Sequence, residues 1–339
     1  MDWIDILGAG LTQALGPGVI VFALAAIGLN VQFGYTGLLN FGQAAFAAIG
    51  AYGLAIVVAS IGLPFWVGVI SGLLGGIVLA VLLGIPTLRL RADYLAIATI
   101  AAAEIIRRVM RASSLREHTG GSSGLRGYSG TFARMGESLG FERGDNFRLE
   151  LFGSRLLFFT SSDLWLMTVG WIVVAAMLLL VWTLMRSPWG RVLRGIREDE
   201  EAVRSLGKNV FSYKIQALMV GGMIGAFAGL MQAVRFSNVS PDQYAPKFTF
   251  YIFAVLILGG AAKLFGPIVG AALFWGLYNL LDTFLRQLAA TEVLPASVLT
   301  GPQVGPLVYV ILGAGFIALL IFRPQGILGD KREMSLNVR

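Results

Sequence analysis

LWLMTVGWIVVAAMLLLVWTLM, residues 164–185, is apolar almost throughout and carries no charge. A helix needs about 20 predominantly apolar residues to cross the hydrocarbon of a bilayer, so this stretch predicts a membrane span. The next stretch is its opposite. RSPWGRVLRGIREDEEAVRSLGKNVF, residues 186–211, is rich in charge and predicts a short amphipathic helix between two spans. Ser187 and Pro188 pair as N-cap and first helical residue. Gly207 is placed to end the helix, and Glu200 with Arg204 forms an i,i+4 ion pair.

Working outward, apolar blocks recur at residues 18–34, 44–61, 64–88, 93–111, 164–185, 212–234, 249–262, 266–285 and 304–322. Several are short or interrupted by Gly and Pro. The predicted fold is all-α: a polytopic integral membrane protein of about eight to ten transmembrane helices, one domain over residues 1–339. Composition agrees. The 339 residues are 56% hydrophobic and 13% charged, against about 45–50% and about 25% in soluble domains. The 44 glycines suit helices that must approach closely without a hydrophobic drive between them.

Composition also excludes. With no cysteine and one histidine, His118, disulfides, thiolate sites and multi-histidine metal sites are out of reach, so no metal is expected. The net charge of +7 reads as basic loops facing anionic lipid or the cytoplasm. Nucleic acid is not an expected partner, since no folded basic domain exists to carry it. No GxxxxGK[ST] phosphate loop and no HExxH signature is present; Gly207-Lys208-Asn209 lacks the spacing and the hydroxyl. The N-terminal MDWIDILGAG is acidic and is not read as a cleaved signal peptide. Residues 3–15 are too short to span alone and read as a surface helix or the start of a longer first span.

Residues 112–163 form the longest polar stretch, expected outside the cytoplasm. It begins with turn formers, SSLREHTGGSSGLRGYSG at 113–130, and ends in FRLELFGSRLLFF at 147–159, a candidate hairpin. If 186–211 faces the cytoplasm, so do Arg89, Arg91, Lys263 and the basic tail from Arg323 to Arg339. This places the N-terminus outside and the C-terminus inside. The positive-inside rule favours it only mildly, and Arg107, Arg108 and Arg111 at the outer end of a span run against it.

Three segments could carry function. In GYTGLLNFGQAAFAAIGAYG, residues 34–53, glycines interrupt an apolar run, and Asn40 and Gln43 lie i,i+3, on one face if helical. Buried amides serve either as glue between helices or as lining of a pathway at a broken helix; both readings stand. Glu104 sits in a span with Arg107 and Arg108 at i+3 and i+4, and a structural ion pair is favoured over a proton relay. Gly221, Gly225 and Gly229 repeat every four residues and form a packing stripe; Gly72 with Gly76 and Gly266 with Gly270 share the spacing.

Together these segments resemble the permeases of branched-chain amino acid ABC importers, the LivM type, over about residues 18–329. GYTGLLNFGQAAFAAIGAYG is similar to that family's N-terminal signature. YLAIATIAAAEIIRRV, then TGGSSGL from Thr119 to Leu125, then SPWGRVLRGIREDEEAVRSLGKNVFSYKIQA, SNVSPDQY, LILGGAAKLFGPIVGA and FRPQGILG follow in the family's order. The resemblance implies a permease subunit in the bacterial inner (cytoplasmic) membrane that translocates a small solute, a branched-chain or related amino acid. It is not an enzyme and has no cofactor of its own, since ATP is bound by partner subunits. The implied partners are a second permease (identical or a paralogue), two ABC ATPases, an extracytoplasmic solute-binding protein and membrane lipid. It implies ATPase docking by 186–211, through Arg191, Arg194, Arg197, Glu198, Asp199, Glu200 and Gly207. A pathway is expected near Asn40, Gly42, Gln43, Thr119, Gly259, Gly260 and Gly266. The sequence departs from the pattern at Gly195, where alanine is usual, at Lys263 in AAKLFGP, and over 126–163. An ion-coupled secondary transporter or channel is the alternative; it would need coupling carboxylates at mid-span, and only Glu104 and Asp282, both near span ends, are on offer.

Overall fold

Proline at the first position of a helix starts it cleanly, because the amide it lacks would have had no partner there. Pro17, Pro188 and Pro246 all stand at such positions. The computed structural model describes residues 3–88, 90, 92–142, 144, 146–151, 154–290 and 301–329. The chain runs Trp3–Leu15 (α1), Pro17–Leu29 (α2), Gln43–Ala55 (α3), Phe65–Thr87 (α4) and Ala92–Arg111 (α5). The polar region holds the short helices Arg116–Thr119 (α6) and Gly130–Ser138 (α7). Then come Ser161–Arg186 (α8), Pro188–Glu198 (α9), Glu200–Ser205 (α10), Val210–Phe236 (α11), Pro246–Gly259 (α12), Gly266–Ala290 (α13) and Gly301–Phe322 (α14).

Among the described residues, seven segments are long and apolar enough to cross a membrane: 17–34, 43–60, α4, α8, α11, α13 and α14. The other two of the nine expected blocks also fold as helices. Block 93–111 becomes α5, which carries Asp93, Glu104, Arg107, Arg108 and Arg111 and is markedly two-faced. Block 249–262 becomes α12, only 14 residues long. Residues 3–15 form a helix of their own, parted from α2 by extended backbone at Gly16. It lies along α13, with Trp3 stacked on Phe284 at 5.9 Å.

A helix apolar on every side belongs inside. In α2 every residue from Gly18 to Leu29 is buried, and α11 packs along it and along α3 and α4. The glycine stripe makes that closeness possible. A methyl group at Gly229 would collide with the carbonyl of Ala47, and one at Gly221 would sit 2.5 Å from the carbonyl of Gly28. On the perimeter the pattern inverts. Trp66, Ile70, Leu74, Val78 and Leu82 of α4 recur every four residues and are all exposed, as a face against lipid tails requires.

Two ends follow. At the near end lie α9 and α10. At the far end lies the polar region, with the expected hairpin present: Asn146–Leu151 (β2) pairs antiparallel with Ser154–Thr160 (β3). Leu125–Arg126 (β1) pairs with Asn238–Val239 (β4). Arg89, Arg91 and residues 330–339, part of the charge argument, lie outside the described residues.

Candidate translocation and docking site

At the near end the charged segment is two helices, not one. Asp199 takes extended backbone and caps α10, accepting from the amides of Glu201 at 2.9 Å and Ala202 at 3.0 Å. An acidic residue with two free amides ahead of it competes with helix continuation, which breaks the expected single helix. Ser187 precedes Pro188 as expected, but its hydroxyl donates back to Leu184 O instead of capping. The C-terminal expectation holds: Gly207 takes the left-handed conformation at φ 75°. Glu200 pairs with Arg204 at 3.0 Å and also with Lys214 of α11.

One face of α9 anchors it: Gly190, Leu193 and Ile196 are buried, and Trp189 Nε1 donates to Gln216 Oε1 at 2.7 Å. Arg191, Glu198 and Asp199 remain exposed, as does part of Arg194 and Arg197. Arg194 and Arg197 turn toward the permease itself. Arg194 donates to Met185 O and Arg197 to Gly34 O, each at 2.6 Å. Gly37 lies against Arg197, where a Cβ added to it would make only ordinary contact at 3.5–3.8 Å; its left-handed backbone, at φ 76°, is what favours glycine there.

Gly34 ends a wide π turn, Asn30–Gly34, which carries the helix of α2 on to Thr36, just before the irregular stretch that precedes α3. Asn30, which sequence reasoning did not single out, latches that turn to the near-end loop: Ala262 N donates to its Oδ1 at 2.8 Å, and its Nδ2 donates to Lys263 O at 2.9 Å. Gly259, Gly260 and Gly266 gather in the same loop, and the tail joins them. Ile327 N donates to Leu258 O and Leu328 N to Gly259 O, at 2.9 and 3.2 Å. The partners in these contacts are far apart in sequence, so no local pattern announces them.

Deeper in, Asn40 and Gln43 are buried but do not share a helical face. Asn40 lies in the irregular stretch before α3, and Gln43 is the first residue of α3. Asn40 is fully engaged: Nδ2 donates to Gln32 Oε1 and Oδ1 accepts from Gly42 N, both at 2.8 Å. Gln32, also missed from sequence, donates on to Leu218 O at 3.2 Å. Gln43 Nε2 reaches Ala25 O and Gly221 O, both at 3.3 Å, while its Oε1 is buried with no hydrogen-bond partner. Thr99 of α5 and Thr249 of α12 accept from the amides of Phe41 and Ala44, satisfying the donors that a broken helix frees.

At the far end Glu104 pairs with Arg107 at 2.7 Å and Arg108 at 2.9 Å, as expected, and Arg107 adds Asp242 at 2.8 Å. Thr119 lies here. Its hydroxyl donates to Leu115 O and accepts from Gly121 N, so, itself buried, it holds a turn of the far-end polar region and does not lie with Asn40 and Gly259. The expected pathway residues therefore do not converge on one cavity. The spacing Gly120-x-Ser122-x-Gly124 also matches a nucleophile elbow, but it follows a helix and precedes a strand, the reverse of elbow order. Tyr128 is buried and donates to Ala233 O at 2.8 Å; burial pushes its phenol pKa well up. Among the described residues no group of acidic, His or Cys side chains is disposed to hold a metal.

The geometry is a bundle whose central helix ends in a π turn, tied at one end to a charged two-helix segment. Known proteins are similar to it in sequence. A family model described as branched-chain amino acid transport system / permease component matches residues 18–320. The high-affinity branched-chain amino acid transport system permease protein LivM of Escherichia coli (strain K12) is 32% identical over 96% of this chain and 72% of its own. The probable LivM of Methanocaldococcus jannaschii is 24% identical, over 92% and 91%. A shorter match covers 46% of this chain and 46% of the nucleoside ABC transporter permease protein NupC of Lactococcus lactis subsp. cremoris, at 27% identity. With seven apolar spans among the described residues, the central helix included, the chain belongs to the branched-chain amino acid transport system permease component family, as a multi-pass permease subunit of an ABC importer in the bacterial inner membrane.

Proposed function

We propose that this permease carries a branched-chain or closely related amino acid, delivered at the far end by a solute-binding protein, into the cytoplasm at the α9–α10 end. It works beside a second permease, identical or a paralogue, and draws on two separate ATPases that dock on the exposed side of α9 and α10. The observation that carries this reading is the Arg197–Gly34 hydrogen bond. It joins the segment assigned to the ATPase directly to the π turn near the end of the central helix.

Movement of α9 then pulls on the Asn30–Gly34 turn, and through Asn30 on the loop around Ala262 and Lys263. The route runs between these two irregular regions, at the face toward the second permease. Irregular backbone there supplies carbonyls and amides to a polar solute. High affinity is not needed, since the binding protein supplies recognition. No phosphate-loop signature marks this chain as an ATPase.

The test is reconstitution. The permease co-expressed with its genomic neighbours should purify with ATPase subunits. In liposomes it should take up leucine, isoleucine or valine only with ATP inside and the binding protein outside. Uptake of none of the three, with uptake of urea or amides instead, would overturn the substrate. Absence of co-purifying ATPase would overturn the docking assignment.

A further inference from the structure

Three arginines at the near end line one cavity, and none of them pairs with a carboxylate among the described residues. The cavity holds about 390 Å³ and is lined by Trp182, Arg186, Arg194, Arg197, Glu198 and Leu264 among others. Backbone carbonyls fix two of the guanidiniums, Arg194 on Met185 O and Arg197 on Gly34 O. Arg186 is held over the Trp182 ring, 4.1 Å from its centroid. A guanidinium has five N–H donors, so each retains donors after these contacts. One carboxylate, Glu198, faces three fixed positive charges. Such a concentration calls for an anion, and fixed guanidiniums match phosphate oxygens in geometry as well as charge.

The surroundings choose the source of that phosphate. Arg186 is the last residue of the apolar span α8, so the cavity opens at the level where a span leaves the hydrocarbon. Trp182 and Tyr35 line it, and such amphipathic aromatics mark membrane interfaces. Leu264 lies on its wall and Phe265 next to it is 59% exposed, which gives an acyl chain an apolar surface to follow. A soluble phosphate has no use for that rim. We propose that this cavity binds the phosphodiester headgroup of an anionic lipid from the cytoplasmic leaflet, beside the strut that joins α9 to the π turn of the central helix. The proposal rests on the reading that the α9–α10 end faces the cytoplasm. Basic pockets between helices on that side are where anionic headgroups bind.

The assembled transporter, exchanged into detergent and then into phosphatidylcholine bilayers with or without phosphatidylglycerol, provides the test. Native mass spectrometry of the permease counts retained phosphatidylglycerol, and uptake is measured in parallel. The wild type is expected to retain phosphatidylglycerol and to transport several-fold faster when it is present. Arg186→Gln should lose several-fold of both effects, while Arg186→Lys keeps part of the retention; a Gln variant that merely misfolds would be exposed by loss of its ATPase subunits and of its gel-filtration peak together. Equal lipid retention in wild type and Arg186→Gln overturns the proposal. So does restoration of the faster rate by inorganic phosphate added to phosphatidylcholine bilayers, which would make the ligand a free anion. Loss of ATPase subunits from a well-folded Arg186→Gln with lipid retention intact assigns the surface to the ATPase instead. Because lipid retention is read on the permease itself, it stands or falls separately from the choice of solute.

Discussion

Arg197 and Gly34 lie 163 positions apart and are joined by a 2.6 Å hydrogen bond from Nη1 to the carbonyl oxygen. The donor belongs to α9 and the acceptor closes the π turn that follows α2. Replacing Arg197 with alanine removes the strut without touching the buried anchors Leu193 and Ile196. ATPase subunits should still co-purify, while solute-stimulated uptake falls several-fold and ATP hydrolysis persists without it. Unchanged uptake would show that force reaches the bundle by another contact.

Asn40 fills a structural role in this geometry. Asn40→Leu leaves Gln32 Oε1 and Gly42 N without partners inside the bundle. Each buried polar group so stranded costs about 1–3 kcal/mol. The variant should therefore show a lower melting temperature and less assembled complex. Normal assembly with altered flux would instead return Asn40 to the pathway.

The glycine stripe is testable by volume. At Gly229 an added methyl would run into the carbonyl of Ala47, and overpacking of this kind costs about 1–3 kcal/mol. Gly229→Ala should lower thermal stability and Gly229→Leu should abolish accumulation in the membrane. At Gly207, where nothing lies within 4 Å of an added Cβ but φ is 75°, alanine should cost stability only through backbone strain. Equal tolerance of Gly229→Leu and Gly207→Ala would refute the packing account.

The absence of cysteine makes orientation easy to read. A single cysteine at the exposed Ser123 should react with an impermeant thiol reagent from outside intact cells, after outer-membrane permeabilisation where one exists. A cysteine at the exposed Arg191 should react only in inverted vesicles. The reverse pattern would invert the whole assignment.

Much of this was legible in the sequence wherever the cause is local. Apolar length predicted the spans, four-residue glycine spacing predicted the α11 face, and i,i+3 and i,i+4 charges predicted the Glu104 cluster. Gly207 marked a helix end because only its φ depends on it. What escaped reading has its cause at long range or in competition. Asn30 looks like any polar residue in a span until Ala262 and Lys263 are brought to it. Asp199 looks like one more acid in a charged helix, yet its own carboxylate ends one helix by starting another. Asn40 and Gln43 have helical spacing but straddle the start of α3, so their shared face does not exist. Thr119, expected with the pathway residues, stabilises a turn at the opposite end.

The contacts along the glycine stripe also divide the molecule mechanically. Where α11 meets α2 and α3, backbone touches backbone at Gly221–Gly28 and Gly229–Ala47, and the side chains that enter the seam, Gln32, Gln43 and Phe46, are fully buried with no room to change rotamer. Such a seam has no slack, so sliding one helix past another would separate it outright. The three helices therefore travel as one keel. Conformational change during a transport cycle must be taken up around it: at Gly16, at Asp199, and at the Asn30 latch, where a pair of hydrogen bonds can be exchanged without opening the hull.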